Sequence, residues 1–569
     1  MKNLNYISLL LVLFFWSSCS DDFVDTTPIA SETDGTFYSN MAGINAAVTA
    51  CYSTFCTIKT FDLCITMTMG SIASDEAEAG SGGRTVVVEF QNVDLLTHTP
   101  AESNVLEWPY SFVYRGINYC NIALEKIPAL TEGDDPEHYD AALLQQRLGE
   151  VYFLRAYYYF TLTQIFGGVP LVDHVLSGSE YTLGRSEISE VYDLIKSDLR
   201  KAINRLPTRE DWGPSNIGRA SKGAAQALLA KVFLYESSYA KYCGDDGEYN
   251  GLDVSRFQNM EQQWDSVVYW AEQVIGSGQY SLVGLNGERF HTWRDPSEEP
   301  NTGGYQLIFM VDGDNSPESV FEIQNAYDAA LWFYTRGEAL TYWCAPTTIN
   351  IPSGGTVSLG WGWWCPSDFL VSQYEEGDPR YDATILEEGD TFLTTFGWIT
   401  PNYTTLIEET GLHRYTRKFE ASVDEFWGHT PSWQEGPVNI KLIRYADVVL
   451  FAAEAYLELN NQAKATEYIN MVRKRARMSG PEGDAGIPAD LASVTHDDLV
   501  HERLIELAME GHRFFDLIRW NLAGVYLTNH VCADGSVVNF EEGKHEFFPI
   551  PDEEVIQSGG LVEQYPKWQ

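Results

Sequence analysis

Basic residues are scarce in this chain of 569 residues. Only 37 lysines and arginines stand against 81 aspartates and glutamates, a formal net charge of -44. A surface of that sign repels nucleic acid and anionic headgroups, so no nucleic-acid partner is expected, and neutral or cationic ligands remain. None of the nine cysteines forms a CxxC, and no His or Cys stands at zinc-ligand spacing, so no metal centre is expected. GxSxG, HExxH, a phosphate loop and a dinucleotide fingerprint are all missing from any strand-to-helix context that would give them meaning, and no cofactor is expected. The acidic stretch SDEAEAG, with Asp75, Glu76 and Glu78, lacks EF-hand spacing and reads as a solvated turn. Disorder is excluded by 44% hydrophobic and 13% aromatic residues.

The N-terminal apolar run, Tyr6 to Trp16, makes a helix of roughly 16 Å, too short for a hydrocarbon core of about 30 Å. With Lys2 before it and Ser17, Ser18 and Cys19 after it, the run reads as an export signal over residues 1–18 that ends at a lipidation site, Cys19. It resembles a lipobox and departs from one at Trp16. Residues 19–40 are then a lipidated N-terminus and tether, with the membrane reached through acyl chains on Cys19. Asp21 and Asp22 resemble the surface-export signal of Bacteroidetes lipoproteins.

From there the chain is mainly helical. Apolar periodicity predicts helices over 41–58, 103–127, 138–166, 186–206, 221–239 and 260–275. The stretch from Met67 to Thr99 has no helical period and reads as loop and hairpin, with TVVVEF strand-like. Two helix pairs resemble tetratricopeptide units: Ala227 onward with Trp264 onward, and Tyr445 onward with Gln462 onward, with small alanines where helices approach. In Tyr445 to Leu459 the apolar residues share one face and Asp447, Glu454 and Glu458 the other, which predicts a helix packed on one side only. The expected organisation is a helical region over 41–280 and a second region over 281–569. The latter comprises an irregular aromatic-rich insertion over 281–439 and helices over 440–520.

Two stretches invite a chemical reading. ERLIELAMEGHRFFDLIRW holds Glu502, Glu506, Glu510, His512 and Asp516, but helical spacing makes these neighbours of Arg503, Arg513 and Arg519 in one continuous helix. That favours packing over the facing carboxyl pair of a glycosidase, and no catalytic residue is expected. Leu331 to Cys365 gathers Trp332, Phe333, Tyr334, Tyr342, Trp343, Trp361, Trp363 and Trp364 among glycines and prolines, with no helical stripe to bury them all. A flat aromatic face suits the apolar face of a pyranose. The expected platforms are Trp293, Trp332, Trp343, Trp361 and Trp363, with Tyr334 and Arg84 as hydrogen-bonding partners. Cys344 and Cys365 bracket the stretch and are expected to pair.

Taken together, the Cys19 signal, FLRAYYYFTLTQIFGGVPLV from Phe153, DPRYDATIL from Asp378, IRYADVVLFAAEAYLELN from Ile443, ERLIELAMEGHRFFDLIRWN from Glu502 and FFPIPDEEV from Phe547 resemble the SusD/RagB family of starch-utilisation-type outer-membrane lipoproteins of Bacteroidetes. The resemblance implies tetratricopeptide-like helix pairs supporting an irregular binding region. It also implies a non-enzymatic role at the outer face of the outer membrane, capturing a neutral glycan for a SusC-like TonB-dependent transporter. A peptide-capturing member of the family, and an outer-membrane scaffold that binds a protein partner, are the alternatives.

Overall fold

The computed structural model describes residues 37–55, 61–80, 87–129, 139–181, 183–243, 257, 259–292, 301–326, 339–350, 354–357, 360–394, 397–419, 436–481 and 483–569. The signal, Cys19, Arg84, Trp293, Trp332 and Tyr334 lie outside those residues. Helices dominate, which bears out the mainly α expectation. The principal ones are α1 (Met41–Tyr52), α2 (Val88–Asp94), α3 (Trp108–Ala129), α4 (Ala141–Phe166), α5 (Ile188–Ile203), α6 (Lys222–Ser238), α7 (Trp264–Ile275), α8 (Tyr445–Glu458), α9 (Gln462–Met478), α10 (His496–Glu506) and α11 (Arg513–Arg519). Four short strands border the sites of interest: β1 (Ala77–Ala79), β2 (Ser319–Ile323), β3 (Trp363–Pro366) and β4 (Ile440–Arg444).

Local chemistry sets the helix ends. The Asn40 side chain accepts the N–H groups of Ala42 and Gly43 at 2.9 and 3.2 Å and starts α1. Asp140 does the same for α4 and Ser221 for α6, while Thr495 and Asp498 close a reciprocal capping box on α10. Helix α4 stops at Gly167, whose φ is +69°; a Cβ there would lie 2.2 Å from the Tyr565 hydroxyl oxygen, so the close approach of the C-terminal segment requires glycine.

Consecutive helices pack as pairs: α3 on α4, α4 on α5, α6 on α7 and α8 on α9, with α7 also laid against α8. Both expected tetratricopeptide-like pairs are present. At their centre α6 is buried along its length from Gly223 to Ser238. Helix α8 is not one-sided as its pattern predicts, since Asp447 and Glu454 are as fully buried as Val449 and Ala453. Its acidic face is covered by cations. Asp447 accepts from Arg503 at 2.8 Å and from Lys231 at 3.3 Å, and Glu454 accepts from Arg519 and, at 2.8 Å, from the Trp520 indole.

The dense acids after Glu502 belong to the same buried lattice. The one continuous helix expected from Glu502 to Trp520 is two, broken around Met509 and Gly511, both at positive φ. A Cβ on Gly511 would sit 2.6 Å from the Thr66 carbonyl oxygen, so the break lets the turn touch the π-type helix Phe61–Ile72. The partners also differ from a ladder along one helix. Glu506 holds Arg475, Arg444 at 3.1 Å and Arg380 at 3.3 Å. Glu502 holds Arg380 and Arg473, and Glu510 holds Arg444 and Lys418. The packing reading stands, but the pairs are long-range and cross between elements. Each buried charge is tolerated because it is paired and hydrogen-bonded.

The C-terminal segment closes over α4 with a stack of rings. His98 lies 5.0 Å from Phe548, 4.9 Å from Trp568 and 6.1 Å from His545 between ring centroids. Burial, with His545 and Lys544 beside it, pulls the His98 pKa down to about 3. Burial and Lys544 bring His545 to about 4, against the opposing pull of Glu541. Both rings are therefore neutral in the fold and take up protons more readily when unfolded. Their stabilisation is complete above the ordinary histidine value of 6.5 and is lost as pH falls through the window toward 4. The melting temperature of the wild type is expected to fall more steeply than that of His98→Phe between pH 6.5 and 4, because the variant keeps the stack and loses one of the two titrations, leaving only that of His545. Parallel melting curves of the two proteins would contradict this.

Candidate functional site

Strand β1 runs antiparallel to β3, pairing Ala77 with Pro366 and Glu78 with Cys365, and a bridge from Gly80 to Trp363 extends the ladder. The SDEAEAG stretch thus forms no solvated turn; Asp75, Glu76 and Glu78 are all buried. Asp75 takes a bidentate pair from Arg513 at 2.7 and 2.7 Å, and its backbone carbonyl accepts the Ser367 hydroxyl. Glu78 accepts the Ala533 N–H at 3.0 Å. The Ala79 N–H donates to Asp94 at 2.8 Å, which explains why the expected strand at TVVVEF gives way to helix α2: Phe90, Val93 and Asp94 must face β1 together. Burial raises the Glu76 carboxyl to about 8, so it stays protonated near neutrality.

This small sheet carries an aromatic cluster. Trp343 and Trp361 lie parallel, 5.8 Å apart with 4° between planes. Trp361 meets Trp363 at 4.7 Å, Trp363 meets Trp364 edge-on at 5.3 Å, and Phe90 closes the far side against both. Tyr342 stands edge-on to Trp361 at 5.8 Å. Trp343 and Trp363 are 3% exposed and Trp364 is 0% exposed, whereas Trp361 and Tyr342 are half-buried. Trp343 and Trp363 are therefore core, not platforms, because their neighbours already occupy them. Of the expected platforms within the described residues, Trp361 alone reaches the surface, and Tyr342, which was not among those expected, stands beside it. Its adjacency to Trp343 in the single helical turn Leu340–Trp343 was the available signal.

The backbone here is unusual. Gly362 has φ +65° and Trp364 φ +51°, a left-handed conformation that bulky residues rarely adopt. A Cβ on Gly80 would lie 2.2 Å from the Gly362 carbonyl oxygen, so the two strands cross closer than side chains allow. The indole N–H groups of Trp343, Trp363 and Trp364 have no partner among the described residues. Cys344 and Cys365 do not bridge; each lies in a separate apolar cluster.

Among the described residues, nothing in the acid lattice resembles a general acid facing a base. Asp447 is held far below the usual carboxylate range, with burial opposing and Lys231 and Arg503 prevailing, and Glu510 is held at about 2 by Arg444 and Lys418 against the same opposition. Among the described residues no group of His, Cys, Asp or Glu is arranged to hold a metal ion, and no helix is long and apolar enough to cross a membrane.

A scaffold of paired helices carries a half-exposed aromatic edge, the arrangement of a candidate binding surface. Comparison with known proteins gives the class its name. Residues 356–568 match a model described as the SusD family, and residues 79–234 match one described as starch-binding associating with outer membrane. The chain is 24% identical to SusD-like protein P2 of Formosa agariphila over 99% of both chains, and 24% identical to the starch-binding protein SusD of Bacteroides thetaiotaomicron over 81% of this chain and 79% of that one. Among solved structures it matches a laminarin-binding SusD-like protein at 25% identity with a TM-score of 0.69, covering 93% of this chain and 100% of the other. The chain belongs to the SusD/RagB family.

Proposed function

We propose that this protein is a surface lipoprotein that captures a neutral glycan and delivers it to a SusC-like TonB-dependent transporter, anchored to the outer membrane through acyl chains on Cys19. The observation that carries the binding step is the half-buried Trp361, backed in parallel by Trp343 and flanked by Tyr342. A sugar ring laid on such an indole gains dispersion and apolar burial without needing charge. Trp293, Trp332, Tyr334 and Arg84 are proposed to complete the site. Relatives described as binding laminarin and starch support a glycan over a peptide. The net charge of -44 favours a neutral chain over an acidic one at this edge.

The test is affinity for a panel of laminarin, starch and peptides, run on the wild type and on Trp361→Ala with reducing-end release followed in parallel. Glycan binding that Trp361→Ala weakens, without turnover, is the expected result. Peptide-only binding would overturn the ligand class, and turnover would overturn the binding-only role.

A further inference from the structure

A cavity of about 320 Å³ opens between the Arg209–Arg219 turn, Tyr280 and β2, and shares no lining residue with the Trp361 edge. Its volume lies at the lower end of the roughly 300–1,000 Å³ of small-molecule sites. The walls are fixed. The Trp212 indole N–H donates to the Ala220 carbonyl at 2.9 Å, and the Tyr280 phenol is 2.9 Å from the Ser221 hydroxyl.

Two guanidinium groups line this cavity; among the described residues Arg219 spends one of its five donors and Arg209 three. Arg219 gives one N–H to Glu150 at 2.7 Å. Arg209 donates only to main-chain carbonyls, those of Ser319 at 3.0 Å, Ser316 at 2.9 Å and Asn315, and makes no ion pair among the described residues. Glu322 is the only carboxylate among the described lining residues, and its oxygens are taken by the Asn315 N–H at 2.6 Å, the Ser319 hydroxyl at 2.7 Å and the Asn439 amide at 2.7 Å. Donors are left at Arg219 while the one lining carboxylate is engaged, so the complementary ligand brings acceptors. The Nε and Nη2 donors of Arg219, unengaged among the described residues, form a fork that suits a carboxylate.

We infer that this cavity binds a small carboxylate-bearing ligand of sugar size, of the uronate class, independently of the Trp361 site. The negative charge of the rest of the chain does not forbid it, since charges more than about 10 Å away are largely screened at 0.1 M salt while the two guanidiniums act at contact distance. Trp212 and Tyr280, both nearly wholly buried, contribute apolar wall rather than an open ring face. Ile217, 58% exposed, stands at the rim.

The experiment is calorimetric titration of the full chain with glucuronate and with glucose. Glucuronate is expected to bind saturably and glucose about tenfold more weakly or worse, with the glucuronate affinity falling as salt rises. Ile217→Glu, a surface change that puts a carboxylate at the mouth, is expected to weaken glucuronate by about tenfold or more at an unchanged melting temperature. Arg209→Gln should also weaken glucuronate, with some loss of stability from its freed carbonyl partners, and Trp361→Ala should leave glucuronate binding intact. Equal affinity for the two sugars, no glucuronate binding, or indifference to Ile217→Glu would overturn the assignment. Each of these outcomes leaves laminarin binding at the Trp361 edge unaffected, so the two readings fail separately.

Discussion

Asp75→Ala is expected to cost about 3–5 kcal/mol of folding stability, the range for removing one partner of a buried ion pair. Both side chains are buried, and the bidentate contact is the only ion pair of Arg513 among the described residues. Removing the carboxylate leaves a guanidinium in the core beneath β1. Glu76 offers a partial escape. Its pKa is raised chiefly by burial, with the Asp75 charge adding to the rise and Arg513 opposing it, so losing Asp75 lets Glu76 ionise more readily. The double variant Asp75→Ala/Glu76→Gln closes that route and is expected to be less stable than the single one. Urea midpoints of the three proteins decide the matter: a loss below about 1 kcal/mol in the double variant would mean that this pair does not hold the sheet.

Trp364→Ala is expected to cost about 3–5 kcal/mol of stability, as for other large aromatic truncations in cores. The ring is wholly buried and packed on Phe90, Trp343 and Trp363. Relief of backbone strain does not rescue it, because alanine is as unwelcome at φ +51° as tryptophan. Trp364→Gly separates the two effects. It loses the same contacts but accepts the left-handed backbone, and should recover on the order of 1 kcal/mol relative to alanine. Equal midpoints for the two variants would show that the conformation at this residue carries no strain.

These two sites show what the sequence discloses and what it withholds. Helix pairs such as α6 with α7 and α8 with α9 were legible because an apolar stripe repeats every three or four residues whatever the partner is. Asp75 was not legible: Arg513 lies 438 residues further on, and nothing local distinguishes a solvated acidic turn from a buried pair. The same blindness applies to Asp447 and Glu454, whose polar face on α8 looked solvent-facing until cations from α6, α10 and α11 covered it. The aromatic richness around Trp361 was plain in composition. Which rings are core depends on the crossing of β1 and β3, set by Gly80 and Gly362, and a run of eight aromatics carries no register that would reveal it.

The laminarin affinity of Trp361→Ala, measured by titration beside its melting temperature, decides whether this ring binds the glycan. The ring is half-buried, so its truncation is expected to leave the fold intact while removing a stacking contact worth about 2 kcal/mol, roughly a thirtyfold loss of affinity. Because the contact is uncharged, the wild-type affinity should change little between about 0.05 and 0.5 M salt. A variant that melts as the wild type does and binds laminarin thirtyfold more weakly is what this account predicts. A variant that binds with wild-type affinity would place the glycan elsewhere on the molecule.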